Sequence, residues 1–255
     1  MKASTKVGVF LCINSRIVQS KYIDFKFFKV YNKNEKIYHF KKKGAEFMTL
    51  YKTILIGLFG SFLMFLGDMI LYYDKDGYDS KDKINSVITI MKKLSVKRLY
   101  LGGLLGPIGA FLYSLGFYHI VLASQEKYEN LGWILFIINN LGTILGGAYH
   151  LQFAYLGLLS RHKGKESFDE FLKFLKFQAK FVFSVMALGN LGLSIMMLSG
   201  MMIFPRWQVL FTPLVLLILT PLLGKLPKRL HMIICGGWFN LIYFIYYLSL
   251  IISFS

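Results

Sequence analysis

The sequence predicts an all-α fold: a polytopic transmembrane bundle of six spanning helices, with two interfacial amphipathic helices. Three observations predict it. First, 55% of the 255 residues are hydrophobic and only 17% are charged. A water-soluble domain needs a more polar surface than that composition can supply. Second, the apolar residues gather in six runs, most of them near or above the roughly 20 residues that cross a hydrocarbon core. Third, the basic residues fall between these runs rather than within them.

The chain opens with a basic segment, residues 1–47, which holds eleven Lys/Arg against three Asp/Glu and no spanning run. It is expected to be disordered or foreign to the natural protein. Residues 41–48 read KKKGAEFM. Lys43-Gly44-Ala45 can be encoded by a ribosome-binding sequence at a normal distance from Met48, so translation is expected to start at Met48. The expected spans follow at about 50–72, 99–123, 131–160, 179–204, 207–223 and 230–254. Runs of this length in lipid are helices, because every backbone polar group must be paired within the segment. The boundary between the fourth and fifth rests on Phe204-Pro205-Arg206-Trp207, a proline beside an interfacial aromatic. Two linking segments show helical spacing of apolar residues. In 83–96 these are Ile84, Val87, Ile88, Met91 and Leu94; in 167–180 they are Phe168, Phe171, Leu172 and Leu175. Both are expected to lie on the membrane surface.

The net charge of +17 would suggest nucleic acid in a soluble protein. Here its distribution points to anionic lipid headgroups instead, and no nucleic-acid partner is expected. The loops 73–98, 161–178 and 224–229 carry most of the basic residues, including Lys92, Lys93, Arg98, Arg161, Lys173, Lys176, Lys225 and Arg229. The loops of the opposite set hold only Lys127 and Arg206. The positive-inside rule makes the first set cytoplasmic and puts the C-terminus outside. Two cysteines, Cys12 and Cys235, suggest neither a disulfide framework nor a thiolate metal site.

The spans hold few ionisable residues. Asp68 is the only acidic one, and His119 and His150 lie in the second and third. His231 follows Arg229 at the start of the sixth, whereas His39 and His162 fall in basic segments. Ionisable groups inside a bilayer are costly and mark functional sites by default. At 1.5 Å per residue, Asp68, His150 and His231 come to similar depth towards the cytoplasmic side, and His119 lies near the outer surface. The expected ligand-binding set is therefore Asp68, His150, Tyr149 and Asn139. Asn139 shares a helical stripe with His150, at spacings of four, three and four through Thr143 and Gly146. Asp68, His150 and His231 form a possible zinc set, one carboxylate and two imidazoles with a position left for water. The remaining amides, Asn240 among them, read as packing residues. So do the G-x-x-x-G pairs Gly102–Gly106 and Gly142–Gly146.

GDMILYY (67–73), RLYLGGLLGPIGAFLYSLGFYHI (98–120), GGAYHLQFAYLG (146–157) and GGWFNL (236–241) together resemble a family of uncharacterised multi-pass bacterial membrane proteins. The resemblance covers about 48–255. It implies a bacterial inner-membrane protein and carries no activity. Asp68 with membrane-embedded histidines also resembles the metal site of alkaline-ceramidase-type hydrolases. This chain departs from them in having six runs rather than seven and no H-x-x-x-H in the last. Three functions are compatible with these features. They are binding or transport of a small or lipid-like ligand, metal-dependent intramembrane hydrolysis, and a non-catalytic role through partners. A nucleotide-driven pump is disfavoured by the lack of a G-x-x-x-x-G-K-[ST] motif.

Overall fold

A computed structural model describes residues 33–74, 83–161 and 165–254. Most of the basic N-terminal segment, residues 75–82 and His162 lie outside the described residues. The chain divides into two units, Met1–Gly44 and Ala45–Ser255. The described part of the first is the opening of helix α1; everything below concerns the second.

The described residues are helical, with one isolated antiparallel bridge between Ser124 and Met202. Helix α1 is Lys33–Tyr72, α2 is Lys83–Lys93, α3 is Val96–Gly116 and α4 is His119–Ala123. Helix α5 is Glu129–Leu159 and α6 is Lys165–Leu198. The chain then breaks into short pieces: a 3-10 turn at Arg206–Phe211, α7 at Pro213–Leu216, a second 3-10 turn at Leu217–Leu219, and α8 at Thr220–Leu223. Helices α9, Lys228–Cys235, and α10, Trp238–Ile252, end the fold.

Four segments are long and apolar enough to cross a membrane: Met48–Tyr72, Val96–Ala123, Glu126–Leu159 and Glu166–Leu198. The first three correspond to the first three expected spans, and the fourth overlaps the expected 179–204 but begins at Glu166 and ends at Leu198. The fifth and sixth expected spans do not appear as single full-length helices. Pro213–Leu223 and Trp238–Ile252 are apolar but shorter than a full crossing. Pro205, Pro213 and Pro221 each remove a backbone donor, which fragments the fifth region into short turns. The last region breaks at Gly236-Gly237, and both glycines pack closely against α1. A Cβ at Gly236 would lie 2.6 Å from Tyr72 Cβ, and one at Gly237 would lie 2.6 Å from Phe65 Cδ2.

The amphipathic segments are corrected in part. Residues 167–180 are not a separate surface helix; they are the first half of α6. Helix α2 forms as expected, but its apolar face turns inward. Met91 and Leu94 are buried with Leu71, Leu99, Leu156 and Leu175, while Phe168, Phe171 and Leu172 pack against that cluster. The two apolar stripes thus cover one end of the bundle, and their hydrophobic drive is spent on each other.

Helices α1, α3 and α5 approach closely through glycine. A Cβ at Gly109 would stand 2.1 Å from Met64 Cγ, and one at Gly147 would stand 2.6 Å from Ala110 Cβ. Lipid and side chains compete weakly for apolar surface, so such close backbone packing is what holds these helices together. The second core cluster is aromatic: Tyr113, Phe117, Tyr243, Tyr246 and Tyr247 are buried with Ile54, Leu193 and Met196. Tyr113 and Tyr243 meet edge to face at 5.3 Å between centroids.

Candidate functional site

Asp68 sits one turn before the end of α1, and His150 lies in the second half of α5. Their side chains meet: His150 Nδ1 is 3.2 Å from Asp68 Oδ1, with both side chains nearly excluded from solvent. The other polar atom of each is also occupied. His150 Nε2 lies 2.9 Å from the carbonyl oxygen of Gly102 on α3. Asn240 Nδ2, in the first turn of α10, donates to Asp68 Oδ2 at 2.6 Å. Tyr113 in turn donates its hydroxyl to Asn240 Oδ1 at 3.2 Å. A chain of side chains therefore runs Tyr113, Asn240, Asp68, His150 and ties four helices, α3, α10, α1 and α5.

The partners fix the protons. A carbonyl oxygen only accepts, so His150 carries hydrogen on Nε2. One further proton then lies between Nδ1 and Oδ1, making either an imidazolium–carboxylate pair or a neutral imidazole–carboxylic acid pair. Both arrangements are neutral as a whole, which a low-dielectric interior favours over an isolated charge. Asp68 also faces the N-terminal turn of α10, where the helix dipole favours negative charge.

Glycine makes room for the imidazole. A Cβ at Gly106 would fall 2.3 Å from His150 Cδ2, and one at Gly67 would fall 3.3 Å from its Nε2. The Gly102–Gly106 pair therefore does more than let helices approach. One glycine supplies the carbonyl and the other the space for the ring.

The expected site residues divide. Asp68 and His150 are brought together. Asn139 is buried but donates to Leu135 O at 2.8 Å and packs against Gly189 of α6. It lies eleven residues from His150 along α5, about 16 Å at the helical rise. Tyr149 points to α6 as well, with its ring 5.1 Å from Phe153 and 6.2 Å from Phe183. Both serve the α5–α6 contact. The zinc set is corrected too. Among the described residues no group of three His, Cys, Asp or Glu side chains could hold a metal ion, so His231 on α9 does not complete Asp68 and His150.

Tyr113 and Asn240, rather than Tyr149 and Asn139, extend the hydrogen-bonded chain from the pair. A signal for Tyr113 was present: Gly102, Gly106, Gly109 and Tyr113 follow helical spacing on one face of α3. Nothing local marks Asn240, which reaches Asp68 across 172 residues of chain.

His119 belongs to a different polar set. It is fully buried, with Nδ1 2.7 Å from Gly116 O and Nε2 2.7 Å from the Tyr246 hydroxyl. Asn190 and Tyr243 exchange hydrogen bonds at 2.8 and 3.0 Å, and Ser249 donates to Gln208 at 2.9 Å. These bonds join α6, α10 and the 3-10 turn Arg206–Phe211.

The fold and site define a class: an all-helical protein with helices apolar enough for a bilayer and a hydrogen-bonded Asp–His pair buried among them. Within that class the chain belongs to a family of unknown function, DUF6796, whose model matches residues 33–255. That match begins upstream of Met48. No curated protein matches the chain, and no solved structure matches it.

Proposed function

We propose that this is a multi-pass integral membrane protein that binds or transports a small or lipid-like ligand at the Asp68–His150 pair. The observation that carries the reading is the pair itself, a carboxylate and an imidazole in contact inside two bilayer-length helices. Placing such groups in a membrane interior costs several kcal/mol unless they pair, and they are retained chiefly at ligand, ion or proton sites. The break at Gly236-Gly237 adds support. Discontinuous helices whose ends point at a polar group recur at transporter binding sites, and α10 begins beside Asp68. The basic loops 73–98, 161–178 and 224–229 support an orientation in which that end faces the cytoplasmic side of a bacterial inner membrane, with the pair in that half.

The test is a thermal-unfolding screen of detergent-purified full chain against small metabolites and lipids, run in parallel on Asp68→Asn. The reading expects compounds that stabilise the parent protein and lose that effect in Asp68→Asn. Stabilisers that act equally on both proteins would refute it.

A further inference from the structure

Beyond the buried pair, we propose a second site: a groove on the outer face of α1 that holds one anionic phospholipid, with Arg98 at its headgroup end. The groove is shallow and open on one side, with a volume of about 410 Å³, and is lined by Leu66, Met69, Ile70, Tyr73 and Arg98. Leu66, Met69 and Ile70 of α1 and Tyr73, the residue just past its end, stand at i, i+3, i+4 and i+7, which makes them one stripe along the helix. From Leu66 to Tyr73 the stripe is about 10 Å long. Its chemistry is graded: aliphatic at Leu66, Met69 and Ile70, a phenol at Tyr73, and a guanidinium at Arg98.

The guanidinium is held in place rather than loosely exposed. Its Nε donates to Ile70 O in the last turn of α1 and a terminal nitrogen donates to Tyr73 O just beyond it. Those bonds use two of its five N–H donors. The planar fork suits phosphate oxygens better than a lysine would. Asp74 acts electrostatically on the same guanidinium. Lys97, next to Arg98 in the chain, is exposed and adds to the positive charge of this end. An apolar groove ending in fixed positive charge fits an acyl chain below a phosphate. Basic pockets between helices at the cytoplasmic side are where anionic headgroups settle.

The full chain would be placed in nanodiscs of equal phosphatidylglycerol and phosphatidylcholine, and the retained lipid counted by native mass spectrometry. One phosphatidylglycerol should be retained about tenfold over phosphatidylcholine, the ratio expected from one charge-assisted bond. Arg98→Gln should abolish the preference. Because Arg98 also caps α1, Leu66→Trp is the companion variant: it fills the groove and leaves the cap intact, and it should remove the retained lipid. Asp68→Asn should leave retention unchanged, which separates this site from the buried pair. Equal retention of both lipids, or full retention in Leu66→Trp, would overturn the proposal. So would stabilisation by inorganic phosphate alone to the same degree as by the lipid.

Discussion

Gly106→Ala tests how the His150 ring is held. The new methyl would lie 2.3 Å from His150 Cδ2, 2.7 Å from Cγ and 2.8 Å from Cβ. Ordinary carbon contacts are about 3.5–4.0 Å, so the ring must retreat by more than about 1 Å. That breaks the 2.9 Å bond to Gly102 O, the 3.2 Å contact with Asp68, or both. Overpacking costs about 1–3 kcal/mol, and a stranded buried polar group costs about 1–3 more. Alanine returns about 1 kcal/mol through helix propensity. The expected net loss is about 3 kcal/mol. In a His150→Gly background the ring and its Cβ are gone, so the same substitution should cost nothing or stabilise by about 1 kcal/mol. A double-mutant cycle by denaturant unfolding in mixed micelles reads the difference, expected above about 2 kcal/mol. Additivity within about 0.5 kcal/mol would show that Gly106 and His150 are not in contact.

Four other outcomes follow from the same geometry. Tyr113→Phe removes the donor to Asn240 Oδ1 and should cost about 1 kcal/mol in unfolding free energy, with no change in fold by circular dichroism. Tyr247→Phe should stabilise by about 1 kcal/mol, because the buried Tyr247 hydroxyl has no hydrogen-bond partner among the described residues. Gly57→Ala, by contrast, would drive a methyl to 2.3 Å from Tyr247 Cζ and should lower the unfolding midpoint in the same assay. His119→Phe strands the Tyr246 hydroxyl and Gly116 carbonyl and should cost about 2 kcal/mol, while ligand-dependent stabilisation persists.

The four long helices were legible because apolar run length is a direct consequence of bilayer thickness. The last two regions were not, since run length ignores what proline and paired glycine do inside a run. Pro213 and Pro221 break the fifth region, and the tight packing of Gly236 and Gly237 against Tyr72 and Phe65 accompanies the break in the sixth. The amphipathic stripes were visible, but a stripe does not say whether lipid or protein covers it. Phe168 to Leu175 cover α2 and the ends of α1, α3 and α5. Depth along the helices brought Asp68 and His150 to one level. Depth says nothing of azimuth, however, and azimuth sends Tyr149 and Asn139 to α6. Asn240 was unreadable, because its role depends on where a helix broken at glycine comes to rest.

The most direct test of the central claim is to quantify what co-purifies with the protein. Full-length parent, Asp68→Asn and His119→Phe proteins would be purified identically from native membranes, and their bound small molecules extracted and counted by mass spectrometry. The account predicts a molecule near one per chain in the parent, retained in His119→Phe and lost in Asp68→Asn. The same complement of molecules in all three proteins would contradict it.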